Sequence, residues 1–382
     1  MHFGAWIPFL CGIGFLGYVL VGYPLLLYVL ARWTPKQIQK ADRPLTVTVI
    51  LPVYNGGEWI RRKLTSIFAL DYPRELMEIL VVSDGSTDNT EQLVAEWEGV
   101  HFVRLPKGGK ALALNKALEL AKGEILFFTD VRQRLGRDCL RNLVKCFADP
   151  EVGGVCGELV ILDGNTQEEA SVGLYWKVEK WIRKQLNKIG TLLVVTGCVY
   201  AIRRQLAKPV PAGALGDDIF MPQAVLDQGY RMVFEEKAKA YDYPTTMGVE
   251  FWRKVRTLAA LFQFVGRHGF GRHWFHFFSY KISRLLLPYA FVVVAISSLG
   301  LPEPLNYLAV ALQAIFYGLA IADIWVPDKA AFKRLSSPAR TFCMLMAASL
   351  WAVSVLFVPS SQMWKTTQVR APEGRTKAVN EN

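Results

Sequence analysis

The sequence predicts an α/β fold: a Rossmann-like, mostly parallel sheet in a cytosolic domain, joined to transmembrane helices. Three observations lead there. Apolar strand patterns at 47–53, 79–82 and 125–130 each run into a polar cluster at their carboxyl end. Helical patterns at 59–70, 87–97 and 110–122 lie around and between them. Long apolar runs flank the whole. Strand and helix alternation of this kind builds right-handed βαβ units, and the carboxyl ends of the strands then share one crevice.

The chain begins with an apolar run over 5–32 that carries no charge before Arg32 and is long enough to cross a bilayer. A signal peptide would have a shorter apolar core behind a basic end, so the run reads as a retained anchor. Three further runs, 285–301, 305–326 and 341–358, lie near the carboxyl end. Hydrophobic residues make up 52% of the chain, and these runs account for the excess. The expected organisation is an anchor over 1–32, a cytosolic domain over 33–275, a membrane region over 276–360 with about three apolar spans, and a basic polar tail over 361–382.

The net charge of +11 is also local. Arg32, Lys36, Lys40 and Arg43 follow the first run, and Lys329, Lys333, Arg334 and Arg340 separate the last two. Basic residues so placed put the large domain on the cytoplasmic side of a cell membrane, crossed several times, with some charges against anionic headgroups. No basic helix or aromatic RNA-binding motif occurs, which argues against nucleic acid. Strict alternation places the tail outside, whereas its Lys365, Arg370, Arg375 and Lys377 argue for the inside. Either one carboxyl-terminal run is re-entrant or interfacial, or the tail is translocated despite its charge. The six cysteines are scattered without a CxxC or a Cys/His metal spacing, as expected of small core residues in a reducing compartment.

The turn after the first strand, Pro52-Val53-Tyr54-Asn55, lacks GxGxxG, and Gly108-Gly109-Lys110 lacks the remaining features of a phosphate-binding P-loop. Nicotinamide and P-loop chemistry are disfavoured. The second strand ends at Asp84, and Ser86 or Thr87 is placed to cap the next helix. Asp84-Gly85-Ser86-Thr87-Asp88 reads either as a capped turn or as a site whose carboxylate accepts from a uracil imide or a ribose hydroxyl. A third strand, 100–105, leads to Lys107 and Lys110 ahead of a helix containing Asn115; lysines beside a helix amino terminus suit a diphosphate as well as solvent. Asp130 ends a buried strand, where a hard divalent cation finds a rigid oxygen ligand.

A strand is expected over 152–163. The amphipathic helix over 168–188 suits the membrane surface and the core equally. Asp217 and Asp218 precede a helix that Gly229 closes, and a strand is expected over 230–234. Paired acids there serve as a cap or as a general base, because mutual repulsion and burial raise one pKa. From Tyr243 the chain turns basic and aromatic through Trp252, Arg253, Arg256, His268 and Trp274, as expected at a headgroup interface, and the histidines are too irregular for a metal site.

With these residues in order, the chain resembles the membrane-bound family 2 glycosyltransferases, an inverting class with the GT-A fold. Within them it is most like the branch holding poly-N-acetylglucosamine, hyaluronan and cellulose synthases. The resemblance rests on Pro52 to Asn55, Asp84 to Thr90, Gly109 to Asn115, Thr129-Asp130, Thr196-Gly197, Asp217-Asp218 and Gly229-Tyr230-Arg231. It implies a donor site formed by Pro52, Tyr54, Asn55, Glu58, Asp84, Lys110, Asn115, Asp130 and Arg132, with a UDP-sugar as donor. It implies Mg2+ or Mn2+ on Asp130, Asp218 as catalytic base beside Asp217, and Thr196, Gly197, Arg253 and Arg256 at the acceptor or gate. The acceptor would be a glycan or polyprenyl-linked molecule in the lipid bilayer, extended for a cell-surface polysaccharide.

Two departures stand out. Where the family has Asp-x-Asp, this chain reads Asp130-Val131-Arg132, which weakens the metal ligand set and offers Arg132 to phosphate. Where processive synthases have Gln-x-x-Arg-Trp, it reads Glu250 to Arg256 without that motif. Addition of one or a few sugars is therefore expected ahead of processive synthesis. A catalytically silent membrane scaffold that senses nucleotide or glycan is the remaining alternative.

Overall fold

The computed structural model describes residues 3–162, 167–243, 245–268, 271, 273–327 and 330–358. The expected tail, Lys329 and the last residue of the strand expected over 152–163 lie outside them.

One sheet of eight strands organises the domain, in the order β3-β2-β1-β4-β7-β6-β8-β5. The first four are β1 (Val47–Val53), β2 (Met77–Asp84), β3 (Val100–Leu105) and β4 (Ile125–Phe128). β1 runs parallel to both β2 and β4, and β2 parallel to β3, so the carboxyl ends of all four lie at one edge. Then come β5 (Arg134–Leu135), β6 (Val152–Ile161), β7 (Tyr200–Arg203) and β8 (Arg231–Asp242). β7 is antiparallel to β4 and β6, and β8 runs parallel to β6.

The period-2 rule explains how the sheet is covered on both faces. Val47, Val49, Leu51 and Val53 of β1, with Ile79 and Val81 of β2 and Phe127 of β4, point into one buried layer with Ile60, Leu64 and Ile67. Ile50, Leu80, Val82, Leu126 and Phe128 point into the other, against Ala113, Leu114 and Ala117 of the helix Lys110–Leu120. That second layer also takes in Tyr23, Leu27, Phe277 and Leu285 from the membrane helices. Domain and membrane base therefore share a core.

Four helices are long and apolar enough to cross a membrane: Gly4–Trp33, Trp274–Ser298, Leu305–Ala322 and Lys333–Leu356. They match the four expected runs, with the second and fourth starting earlier. Trp33 and Trp274 stay exposed where the first two meet the domain, the usual position of an aromatic belt. The helix Gln167–Lys188 turns Ile182 and Leu186 into the shared core, so its second half packs rather than floats.

The structure corrects several element boundaries. The second helix starts at Thr90, and the Asp88 carboxylate, not Ser86 or Thr87, accepts the Thr90 N–H. β8 continues to Asp242, well past 234, because Ala238, Ala240 and Asp242 keep alternate positions inside while Lys237 and Lys239 face outward. β7 and the helix Cys139–Lys145 were not expected.

Candidate active site

The loops after β1 and β2 are laced together. Asn55 adopts φ 47°, a left-handed conformation that asparagine tolerates, and its Oδ1 accepts the Thr87 N–H at 2.8 Å. The Asn55 N–H donates to Ser86 Oγ at 3.0 Å, the Gly56 N–H to Thr90 Oγ1 at 2.9 Å, and the Gly57 N–H to Asp88 Oδ2 at 2.8 Å. These bonds hold half-buried Pro52 and Tyr54, with exposed Glu58 beyond them, at the edge of the sheet. Lys107 covers Tyr54, its Nζ 4.3 Å from the ring centroid and 2.9 Å from the hydroxyl.

Asp84 is the anchor for that lysine loop. Its Oδ1 accepts the N–H of Gly108 at 2.7 Å and of Gly109 at 2.9 Å. Gly85, at φ 68°, is required because a Cβ there would stand 2.7 Å from the Lys107 nitrogen. The clasp sets the first turn of the helix Lys110–Leu120 and aims Lys110 across the crevice.

Lys110 Nζ lies 2.9 Å from Asp130 Oδ1 and 2.9 Å from Asp217 Oδ1. Burial opposes its charge, but the two carboxylates outweigh burial and raise its pKa, so the ammonium persists. Asp217 is held from its other side by the Tyr200 hydroxyl, which donates to Oδ2 at 3.0 Å. Tyr200 in turn stacks on Phe128, with centroids 4.6 Å apart. Burial and the Asp217 charge push the Tyr200 pKa well up, so the group stays a donor.

The Asp218 carboxylate has no side-chain hydrogen bond of this kind among the described residues. Burial and the charge of Asp217 raise its pKa to about 6, against the opposing pull of Lys110 and Arg256. Gly197 leaves the space in front of it: a Cβ there would lie 3.6 Å from Asp218 Cβ and 3.9 Å from Lys110 Nζ. Thr196 is fixed beside it by a hydrogen bond from Arg183. Arg256, largely covered, has its pKa lowered by burial against the opposing charges of Asp130 and Asp218, which lie within electrostatic reach of it. Asp84, Lys110, Asp130, Asp217, Asp218, Gly197 and Arg256 thus meet at one edge of the sheet.

Other expected members are engaged differently. Asn115 donates its Nδ2 to the Val210 carbonyl at 2.9 Å, and its Oδ1 accepts the Val210 N–H at 2.7 Å. Asn115→Ala should therefore cost about 2 kcal/mol of stability through lost and unsatisfied hydrogen bonds, read as a lower thermal midpoint in detergent. Arg132 forms an ion pair with Asp242, which also accepts from Gln133 Nε2 at 2.9 Å. Asp242 is only 1% exposed, so Arg132→Ala should leave a buried carboxylate without its counter-charge and cost about 3 kcal/mol in the same measurement. Arg253 pairs with buried Glu250 on the helix Met247–His268.

Three supporting residues escaped the sequence reading. Lys63 is 1% exposed and donates to Thr129 Oγ1 at 2.6 Å and the Gln133 carbonyl at 2.7 Å, bracing the segment that carries Asp130. Its signal is a lysine on the same helical stripe as Ile60, Leu64 and Ile67. Asp242 sits on the inward alternation of β8, and Tyr200 three residues after Gly197.

The donor set suits a hard divalent cation. Asp130 follows β4 directly, and its side chain is 37% exposed, so it stays open to a ligand beside Lys110. Among the described residues no group of three or more His, Cys, Asp or Glu is placed to hold a metal. A cation held by one or two carboxylates and completed by diphosphate oxygens and water needs no such group.

Residues 48–210 match the family described as "Glycosyl transferase family 2". Poly-beta-1,6-N-acetyl-D-glucosamine synthases of Staphylococcus epidermidis and of Staphylococcus aureus (strain COL) are 24% and 26% identical over 220 residues. The match takes in 55% of this chain and 53% of each relative, so the chain spans about half the length of the curated relatives it matches. Among solved structures, the mannosyltransferase PcManGT from Pyrobaculum calidifontis, in complex with GDP-Man and Mn2+, is 26% identical. It covers 91% of this chain and 98% of its own, with a TM-score of 0.71.

Proposed function

We propose that this chain, which carries a family 2 glycosyltransferase domain of the GT-A fold and four helices able to cross a membrane, moves a sugar from a nucleotide sugar to a membrane-held acceptor. The observation that supports this most is the Lys110 bridge from Asp130 to Asp217, with Asp218 at raised pKa beside it. A cation there would serve a diphosphate, with Asp218 as the base beside it on the same edge of the sheet.

Tyr54 and the Asp84 loop would seat the nucleoside, and Lys110 and Arg256 would flank the diphosphate. A divalent cation on Asp130 would supply neutralisation of the departing diphosphate. Asp218 takes the proton of the acceptor hydroxyl as its oxygen bonds to the anomeric carbon. The bond from that carbon to the diphosphate oxygen breaks on the opposite face, and the configuration inverts. Lys110 and Arg256 stabilise the negative charge that develops on the leaving group. Gly197 leaves room for the acceptor.

The acceptor is a glycan or a polyprenyl-linked molecule in the bilayer, and the product is one step of cell-surface polysaccharide synthesis on the cytoplasmic face. Continuity between the domain core and the membrane helices supports a lipid-held acceptor. UDP is the expected leaving nucleotide. GDP is the second reading, because PcManGT, similar over nearly its whole length, is recorded with GDP-Man.

The test is nucleotide release by purified membranes offered UDP- and GDP-sugars in turn. Release from one class, with a discrete lipid-soluble product, supports the proposal. A polymer ladder would assign processive synthesis instead. No release from any donor would leave the silent scaffold.

A further inference from the structure

A second hollow, of about 750 Å³, lies away from the active site. It touches Glu151 and Arg231, at the amino ends of β6 and β8. The site carboxylate Asp130 follows the carboxyl end of β4, to which β6 runs parallel through β7. The two sites therefore occupy opposite edges of the sheet.

The walls of this hollow come from both the domain and the membrane base. Leu30 lies at the end of the first long apolar helix and Thr34 just after it, while His276 lies at the start of the second and His273 just before it. Exposed Trp33 and Trp274 flank it, which puts it at headgroup depth.

Its interior holds donors without acceptors. Arg231 is 8% exposed, yet its Nε and Nη2 have no hydrogen-bond partner among the described residues. Those two groups form one edge of the guanidinium fork, which matches two oxygens of a phosphate. The Thr191 hydroxyl, 3% exposed, is likewise without a partner among the described residues. Leaving buried donors unpaired is costly, so they point to an acceptor that fills the site.

Gly190 keeps the cradle open. At φ 84° a Cβ would meet Lys36 Cδ at 2.6 Å and Arg231 Nε at 3.3 Å, so a side chain there would crowd both cations. Two acids oppose them. Asp149 and Glu151 approach Arg231 at Nη1, both at 3.5 Å, and neither makes a hydrogen bond to the Nε and Nη2 edge.

We propose that this hollow binds the phosphate headgroup of an anionic membrane lipid, with Arg231, Thr191 and Lys36 as donors, and so fixes the domain against the bilayer at a point separate from the catalytic crevice. A lipid is favoured over free phosphate because two membrane helices form part of the wall.

The experiment is native mass spectrometry of the full chain released from detergent after addition of phosphatidylglycerol, phosphatidylcholine or inorganic phosphate. One retained phosphatidylglycerol is expected, with phosphatidylcholine not retained. Retention should weaken roughly tenfold in Arg231→Gln and in Lys36→Gln, the size expected for a lost charge-assisted hydrogen bond. Lys36 is exposed, so Lys36→Gln keeps the test valid if Arg231→Gln misfolds. Equal retention of both lipids, unchanged retention in Lys36→Gln, or binding of inorganic phosphate in place of the lipid would overturn the proposal.

Discussion

Asp218→Asn is expected to lower turnover about a thousandfold while leaving donor affinity unchanged, the signature of a group that acts in the transition state. The asparagine has the same shape but cannot take the acceptor proton. Because burial and Asp217 hold the Asp218 pKa up at about 6, the ionised form is less favoured in this pocket than in water and predominates only above that pH. The sign follows: a base must be deprotonated, so kcat/KM of the native protein should fall as pH drops through about 6 and level off above it. Removing a carboxylate whose charge is disfavoured should leave the thermal midpoint unchanged or higher, so lost turnover cannot be assigned to misfolding. The measurements are steady-state nucleotide release across pH and a donor titration. If donor affinity collapses and turnover survives, the base lies elsewhere.

Asp130→Asn carries the next largest effect. It removes the carboxylate that follows β4, the proposed holder of the cation, and half of the Lys110 bridge. Nucleotide release should fall about a hundredfold, and donor binding should lose its dependence on added Mn2+ or Mg2+. Calorimetric titration of donor with and without the cation reads this directly. An unchanged metal dependence would remove Asp130 from the ligand set. Lys110 should remain charged through the remaining Asp217 contact at 2.9 Å, so the variant tests the ligand rather than the lysine.

How much of this was legible in the sequence depends on how local each feature is. The strands β1 to β4 could be read because an apolar run that ends in a turn is a local pattern, and the parallel order then brings Asp84 and Asp130 to one edge. The four apolar spans were equally plain. β7 was not, since Tyr200–Arg203 is four residues long and forms only between β4 and β6. Tyr200 was missed with it.

Side-chain partners were the least legible. Arg132 sits beside Asp130 in sequence and invites a role with phosphate, yet it pairs with Asp242, 110 residues away. Asn115 lies in a motif-like helix, yet both ends of its amide are taken by Val210.

By itself, then, the sequence determined the strands β1 to β4, the four long apolar helices and which acids stand at those strand ends, because hydrophobic period and length are properties of a few neighbouring residues. The tertiary structure alone decided that Lys110 bridges Asp130 and Asp217, that Asp84 clasps the lysine loop, and that two donors of buried Arg231 have no hydrogen-bond partner among the described residues. Those facts depend on distances between residues far apart in the chain, and such distances are set only when the sheet closes and its two faces are packed.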